Sequence, residues 1–110
     1  MSITHNLLPK VGDFYYHFKN NSELSICNYA YKVIGLGIHT ETDEIMVVYK
    51  PIDKESKVFE NNVNFRIRPL LMFCENVEKP ELNYFGPRFN QILDIELIKK
   101  LNSIEISLEY

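Results

Sequence analysis

The chain has no tryptophan, four glycines and only two cysteines, Cys27 and Cys74, among its 110 residues. The cysteines lack a CxxC spacing, which suits buried thiols in a reducing compartment better than a disulfide framework, the less favoured alternative. No apolar run approaches the roughly 18 residues that span a bilayer, and the first ten residues lack the basic and apolar regions of a signal peptide. We therefore expect a cytoplasmic protein without a membrane partner.

A surplus of basic residues is also missing. Twelve Lys and Arg stand against 15 Asp and Glu, for a formal net charge of -3. Nonspecific binding to duplex nucleic acid depends on clustered Lys and Arg that displace counterions from phosphates. The composition therefore predicts no duplex nucleic acid partner.

Metal and dinucleotide motifs are absent as well. Structural zinc needs about four ligands in paired short spacings, whereas the histidines and cysteines are dispersed. The pair Gly35-x-Gly37 is not a dinucleotide loop, because Thr40 stands where the third glycine would be and no helix follows. We predict neither a metal site nor a cofactor.

What the chain does have is the composition of one globular domain. Hydrophobic residues make up 45% and aromatic residues 13%, well above the range in which chains stay disordered. We predict a single domain over residues 1–110, with a β core over 12–89 and a C-terminal helix and tail over 90–110.

The stretch 31–51 is predicted to be the central hairpin. Ile34, Leu36 and Ile38 are assigned to one face of its first strand, and Val33, Gly35 and Gly37 to the other. Two glycines on one face permit a sharp bend or the close approach of another backbone. The tip, residues 39–44, contains no glycine and suits a longer loop, and 45–49 is apolar on both faces like a central strand.

Two further runs alternate with the period of a strand. In the first, Phe14, Tyr16 and Phe18 are predicted to face inward, and Tyr15, His17 and Lys19 outward. In the second, Val63, Phe65 and Ile67 are predicted to face inward, and Asn64, Arg66 and Arg68 outward. Each run therefore predicts one buried face and one polar face.

The remaining segments are shorter. Residues 70–73 are predicted as a 3₁₀ turn or the entry to a strand at 74–77, and 79–88 as a loop. Apolar residues near helical spacing predict a C-terminal helix with Asp94 as its N-cap, while 104–110 also suits a strand. The predicted fold is mainly β: a small SH3-like antiparallel barrel or half-barrel with a C-terminal helix.

Several short motifs carry a resemblance to one family. They are His17-Phe18-Lys19, His39-x-Glu41-Thr42, Val47-Val48-Tyr49, Arg68-Pro69 followed by Met72-Phe73, and Pro87-Arg88-Phe89. In this order, over roughly 12–89, they resemble the bacterial domain of unknown function 1653 family. The resemblance implies a small bacterial domain, standalone or fused, and no particular activity.

The polar strand faces and the hairpin tip supply the candidate ligand-binding residues. They are Tyr15, His17, Lys19, His39, Glu41, Arg66, Arg68 and Arg88. Arginine offers paired hydrogen bonds to anions, and tyrosine and histidine offer stacking and donors. We expect a non-catalytic module that binds a small anionic or nucleotide-like ligand or a peptide.

The plainer alternative for these residues is that they are solvated and pair with nearby carboxylates, and it is the favoured one. For Arg88, a clip that holds the late loop by pairing with a carboxylate is preferred over the rim of a ligand groove. A hydrolase-like enzyme using His39 and Glu41, or His17, is a second possibility, although no nucleophile or oxyanion donor is marked. A third is a subunit-interaction module, with a homodimer contact through Tyr84-Phe85 and 104–110.

Overall fold

The computed structural model describes residues 8–21, 23–52 and 65–107. Its strands are β1 (Phe14–His17), β2 (Ala30–Ile38), β3 (Ile45–Pro51), β4 (Arg66–Pro69), β5 (Asn76–Lys79), β6 (Tyr84–Pro87) and β7 (Phe89–Gln91). The helices are a single turn, α1 (Leu70–Phe73), and the longer α2 (Ile95–Ser107). The predicted outward or inward positions at 63 and 64 and the tail at 108–110 lie outside the described residues.

Five strands form one antiparallel sheet in the order β4-β3-β2-β1-β7, and β5 and β6 form a separate hairpin. The outer strands of the larger sheet, β4 and β7, are not hydrogen-bonded to each other, so the sheet does not close into a full barrel. The mainly β class and the C-terminal helix are confirmed. Neither described helix is long and apolar enough to cross a membrane.

A β-bulge in β2 changes which residues share a face. Val33 lies opposite Tyr49 and Gly35 opposite Val48, so Ile34 is an extra residue in the ladder. The assignment of Val33 to the face of Gly35 and Gly37 is therefore wrong. The bulge lies beside Gly35. Apart from chain neighbours, no described atom lies within 4 Å of the position that a Cβ would take at Gly35 or Gly37, so the predicted close approach of another backbone is absent there.

Each face of the sheet covers its own hydrophobic core. The core beneath α2, which we call the helix-side core, contains Phe14, Cys27, Ala30, Ile52, Ile92 and Leu101. The opposite core, which we call the aromatic core, contains Tyr15, Val33, Val47, Tyr49, Phe73 and Phe89. Alternate residues of a strand point to opposite faces, so a strand between two cores has no wholly polar face.

This arrangement overturns two predicted face assignments. Tyr15 was expected on the outward polar face, but only 6% of it is exposed and it lies in the aromatic core. Phe65 and Ile67 were expected to face inward, but they are 50% and 63% exposed. Apolar character alone did not reveal which face of each strand is covered.

The segment after β4 is more regular than predicted. Residues 70–73 form a helical turn, and the following strand is Asn76–Lys79 rather than 74–77. The prediction of a loop at 79–88 is wrong, because this segment contains a 3₁₀ turn and strand β6 and leads into β7. The sequence was misleading because Pro80, Gly86 and Pro87 are residue types that are typical of loops. Proline is tolerated in a strand that pairs on one side, and among the described strands β6 pairs with β5 alone.

Helix α2 begins as predicted. The Asp94 carboxylate accepts hydrogen bonds from the backbone N–H groups of Glu96 (3.0 Å) and Leu97 (3.2 Å), which makes it the N-cap. Near the other end, Glu105 accepts from the Lys32 ammonium at 2.8 Å and from the Lys50 ammonium at 3.0 Å. The helix is thus attached to β2 and β3 by charge as well as by apolar contact, and residues 104–107 are helix, not strand.

Candidate functional site

Strand pairing brings the polar residues of three strands to the aromatic side of the sheet. His17 of β1 lies opposite Phe89 of β7, Tyr49 of β3 lies opposite Arg66 of β4, and Val47 lies opposite Arg68. Residues directly opposite each other point to the same face. Because Phe89, Tyr49 and Val47 belong to the aromatic core, His17 and the two arginines lie on that same side.

Arg68 is held in place by this core. Its Nε donates a hydrogen bond to the Tyr49 hydroxyl at 3.2 Å, and its guanidinium carbon lies 5.8 Å from the centroid of the Phe89 ring. A guanidinium over an aromatic face is attracted by the negative face of the ring. These two contacts orient the guanidinium before any ligand arrives.

His17 is a neutral donor within this surface. Its ring lies 5.2 Å from the centroid of Phe89, and its Nδ1 accepts the backbone N–H of Lys19 at 3.1 Å. Burial, which has the largest effect, and the positive charges of Lys19, Arg68, Arg88 and Arg66 together lower the pKa of His17 to about 4. At neutral pH the imidazole is therefore uncharged, and with Nδ1 accepting, its proton lies on Nε2.

Charge is unbalanced around His17. In the described part of the chain, neither Arg66 nor Arg68 has a carboxylate within salt-bridge distance, whereas Arg88 pairs with Glu75 at 2.5 Å. The same arginines affect the Tyr31 phenol. Burial raises its pKa, and the positive charges of Arg66 and Arg68 oppose that rise. The surface thus combines cationic groups with aromatic rings.

Arg88 matches the clip interpretation. Its backbone N–H donates to the Glu75 carbonyl at 2.9 Å, its own carbonyl accepts from the backbone N–H of Phe18 at 3.0 Å, and its side chain pairs with the Glu75 carboxylate. The neighbouring Phe89 fills the aromatic core. Arg88 adds positive charge near His17, but its guanidinium is already engaged.

The other predicted site residues differ in their surroundings. Tyr15 is a core residue, and burial raises its pKa to about 12, with Asp13 adding to the rise. Lys19 is exposed and contributes its charge. At the hairpin tip the Glu41 N–H donates to His39 Nδ1 at 3.1 Å, and the hydrogen bonds described there stay within residues 39–44. The hydrogen bonds described for the tip therefore do not connect it to the His17 surface.

Two tyrosines that were not predicted belong to it. Tyr29 places its ring 5.5 Å from that of His17, and Tyr31 lies 5.3 Å from Tyr49 and 6.0 Å from Phe89. The signal that could have found Tyr31 is its period-2 spacing from Val33. Tyr29 ends a polar turn, so no periodicity marks it.

A concavity lies on the helix side. It has a volume of about 400 Å³, is open to solvent and is lined by Ile26, Glu96, Lys99, Lys100, Ser103 and Ile104. Its charges are mixed, and none of its lining residues is among the predicted site residues. Within the described ranges, no three His, Cys, Asp or Glu side chains are grouped as metal ligands.

Comparison with known proteins gives one match. The profile of the family described as protein of unknown function (DUF1653) matches residues 13–91, well over half of the chain. Neither the curated proteins nor the solved structures contain a match. The matched region includes every strand of both sheets and all of the His17 surface, and on this basis the chain belongs to the DUF1653 family.

Proposed function

We propose that the protein is a non-catalytic binding module for a small anionic or nucleotide-like ligand, held over the aromatic core by Arg66, Arg68 and His17. One observation carries the proposal: Arg66 and Arg68, which have no described carboxylate partner, lie with the neutral His17 over the aromatic core. We further propose a cytoplasmic setting, which the two free cysteines support, and a bacterial origin, which is the expectation drawn from the family resemblance.

The chemistry suits an anion for three reasons. A guanidinium forms paired, charge-assisted hydrogen bonds with phosphate or carboxylate. Arg68 is already oriented by Tyr49 and Phe89, so less side-chain freedom is lost on binding. The Nε2–H of His17 adds a donor without adding a charge, and a bound anion would relieve repulsion among the cationic groups.

Arg66→Gln and Arg68→Gln test the proposal. Each substitution should weaken binding of the anions that the protein recognises by about tenfold or more, because a charge-assisted hydrogen bond is lost. Calorimetric titration of phosphate, citrate, ribose 5-phosphate and nucleoside monophosphates measures the effect. Arg68→Lys keeps the charge but loses the planar fork, and should lie between wild type and Arg68→Gln.

Lys99→Gln is the matched control, because it removes one exposed positive charge from α2, on the opposite side of the sheet. It should leave anion binding unchanged. Absence of saturable binding in the whole panel, or equal weakening by Lys99→Gln and Arg68→Gln, would contradict the proposal.

The other functions considered have no specific support from the site. The described residues include no hydrogen bond between a histidine and a carboxylate side chain, which the enzyme alternative needs. Phe85 is 66% exposed, but nothing indicates what would cover it, so the interaction module also stays a prediction.

A further inference from the structure

A row of aromatic rings in contact with one another, two pairs tilted and one stacked, runs along the end of β1 beside the proposed anion site. The rings of Tyr29 and His17 are inclined by 31° at 5.5 Å, and those of His17 and Phe18 by 31° at 4.3 Å. Phe18 in turn stacks on Tyr84 at 5.4 Å and 22°. We call these four residues the ring ladder. Phe18 and Tyr84 are partly buried, whereas Tyr29, at the other end, is 40% exposed.

The backbone of Tyr29 is in the left-handed region, with φ of 55°. That conformation is uncommon for a bulky residue, whereas Gly and Asn adopt it readily. Tyr29 is held there because its carbonyl accepts the His17 N–H at 3.0 Å, in the turn that closes between Cys27 and Ala30. The local backbone thus gives no reason for an aromatic side chain at this position, and strain of this kind is concentrated at functional sites.

The exposed end of the ladder is linked to Arg68 by ring contacts. Tyr29 lies 5.5 Å from the His17 ring, and the His17 ring lies 5.2 Å from Phe89. The Arg68 guanidinium carbon lies 5.8 Å from the centroid of the same Phe89 ring. The stacking surface and the cationic surface therefore both contact Phe89. This juxtaposition suits a ligand that carries both a flat ring and an anionic group.

We infer that the site binds a phosphate attached to a nucleoside, with the base stacked on the exposed ring of Tyr29 and the phosphate bound by Arg66 and Arg68. The inference rests on the proposed function and adds to it the ring of the ligand and the residue that selects it. Stacking of a base on an aromatic side chain tolerates all four bases, because each base has a π face. The ring ladder therefore predicts a preference for nucleotides over other phosphates, with little discrimination among bases.

The test compares two ligands and two variants. Adenosine monophosphate and ribose 5-phosphate share a phosphate and a sugar, and only the first has a base. Wild type and Tyr29→Phe, which keeps the ring, should bind the nucleotide about tenfold more tightly than ribose 5-phosphate. Tyr29→Asn, which fits the backbone but lacks the ring, should bind the two ligands with equal affinity.

A second measurement does not depend on the folding of a variant. In wild type, the base protons of the nucleotide should shift upfield in the NMR spectrum on binding, because they lie over the Tyr29 ring. Equal affinities of wild type for the two ligands, with no upfield shift, would overturn the inference and leave the proposed anion site standing. If no anion binds at all, the proposed function fails and the inference fails with it.

A single-stranded hexanucleotide distinguishes the source of the nucleoside phosphate. Tighter binding of the hexanucleotide than of the mononucleotide, still dependent on Tyr29, supports the same stacking chemistry and assigns it to a nucleic acid strand. Binding of the mononucleotide alone assigns it to a free nucleotide.

Discussion

At the scale of single residues, His17 shows how position decides the chemistry of a side chain. It contacts Phe18, Tyr29 and Phe89, and its Nδ1 is already an acceptor. Burial and the surrounding cations favour the neutral ring. The same histidine that suggested a general base from sequence is, in the structure, better suited to donate one hydrogen bond than to take up a proton.

The lowered pKa of His17 predicts how stability depends on pH. The unfolded chain takes up a proton at His17 near pH 6.5, whereas the folded protein does so only near 4. Between these values the unfolded state binds more protons, so the contribution of His17 is present above pH 6.5 and is lost as the pH falls toward 4. Denaturant unfolding of wild type and His17→Gln at several pH values measures this, and the variant should show a shallower dependence.

His39→Gln is the control for this comparison, since His39 lies at the exposed hairpin tip. It should retain the wild-type slope between pH 6.5 and 4. An NMR titration in which the His17 imidazole protonates near pH 6.5 would refute the expected neutral state.

At the scale of secondary structure, helix α2 is stabilised at its two ends in different ways. Its N-terminus is capped by Asp94, and its C-terminal half is anchored by Leu101 and by the ion pairs of Glu105. Hydrogen bonds to Lys32 lower the pKa of Glu105, and those to Lys50 add to the effect against an opposing contribution from burial. The helix is therefore positioned by charge in a partly buried layer, where screening is weaker than at the surface.

Glu105→Gln should lower the free energy of unfolding by about 1 to 2 kcal/mol, because two lysines lose a partly buried ionic partner. Glu96→Gln is the matched control: Glu96 is on the same helix, but its contact with Lys99 is exposed and 3.7 Å long. That change should cost less than about 0.5 kcal/mol. Urea unfolding at pH 7 measures both.

The contribution of Glu105 to the free energy of unfolding should diminish as the pH falls below the ordinary carboxyl range. The pKa of Glu105 is lowered in the folded protein, so this residue stabilises the fold only while its carboxylate is charged. Equal losses for Glu105→Gln and Glu96→Gln at pH 7 would show that the ion pairs do not anchor the helix.

The elements show where sequence patterns sufficed and where they did not. The β2–β3 hairpin, the N-cap at Asp94 and the helix that follows could be predicted because each rests on local periodicity or capping. Strands β6 and β7 could not be predicted. Gly86 and Pro87 make β6 resemble a turn, and β7 pairs with β1, which is distant in sequence and leaves no local pattern. The site shows the same limit. Tyr15 was predicted to belong to it but is buried in the aromatic core, and Tyr29 was not predicted because its position depends on a turn conformation.

At the scale of the whole molecule, one sheet separates two cores. Phe14 and Tyr15 are neighbours in the chain, yet each lies in a different core. If a strand between the two cores separated from the sheet, apolar side chains of both cores would become exposed to solvent together. We therefore expect the helix-side core and the aromatic core to unfold together.

Leu101→Ala tests this coupling, because Leu101 is fully buried beneath α2. The variant should lose about 2 to 5 kcal/mol of stability through the cavity that it creates, while Leu93→Ala, at an exposed position, should lose less than about 0.5 kcal/mol. Far-ultraviolet circular dichroism follows the helix, and near-ultraviolet circular dichroism follows the tyrosines of the aromatic core.

The two signals should change at the same denaturant concentration in wild type and in Leu101→Ala. If the helix signal of Leu101→Ala disappears first while the tyrosine signal persists, the two cores are separate cooperative units.

The extra residue Ile34 affects how this chain is compared with others. Before it, Tyr31 and Val33 face the aromatic core at odd positions, and after it the same face is occupied by the even positions Leu36 and Ile38. A relative without the bulge would thus align only if a one-residue gap is opened at Ile34. The gap can be placed where the residues that face the aromatic core change from odd to even positions, whatever the identity of any single residue.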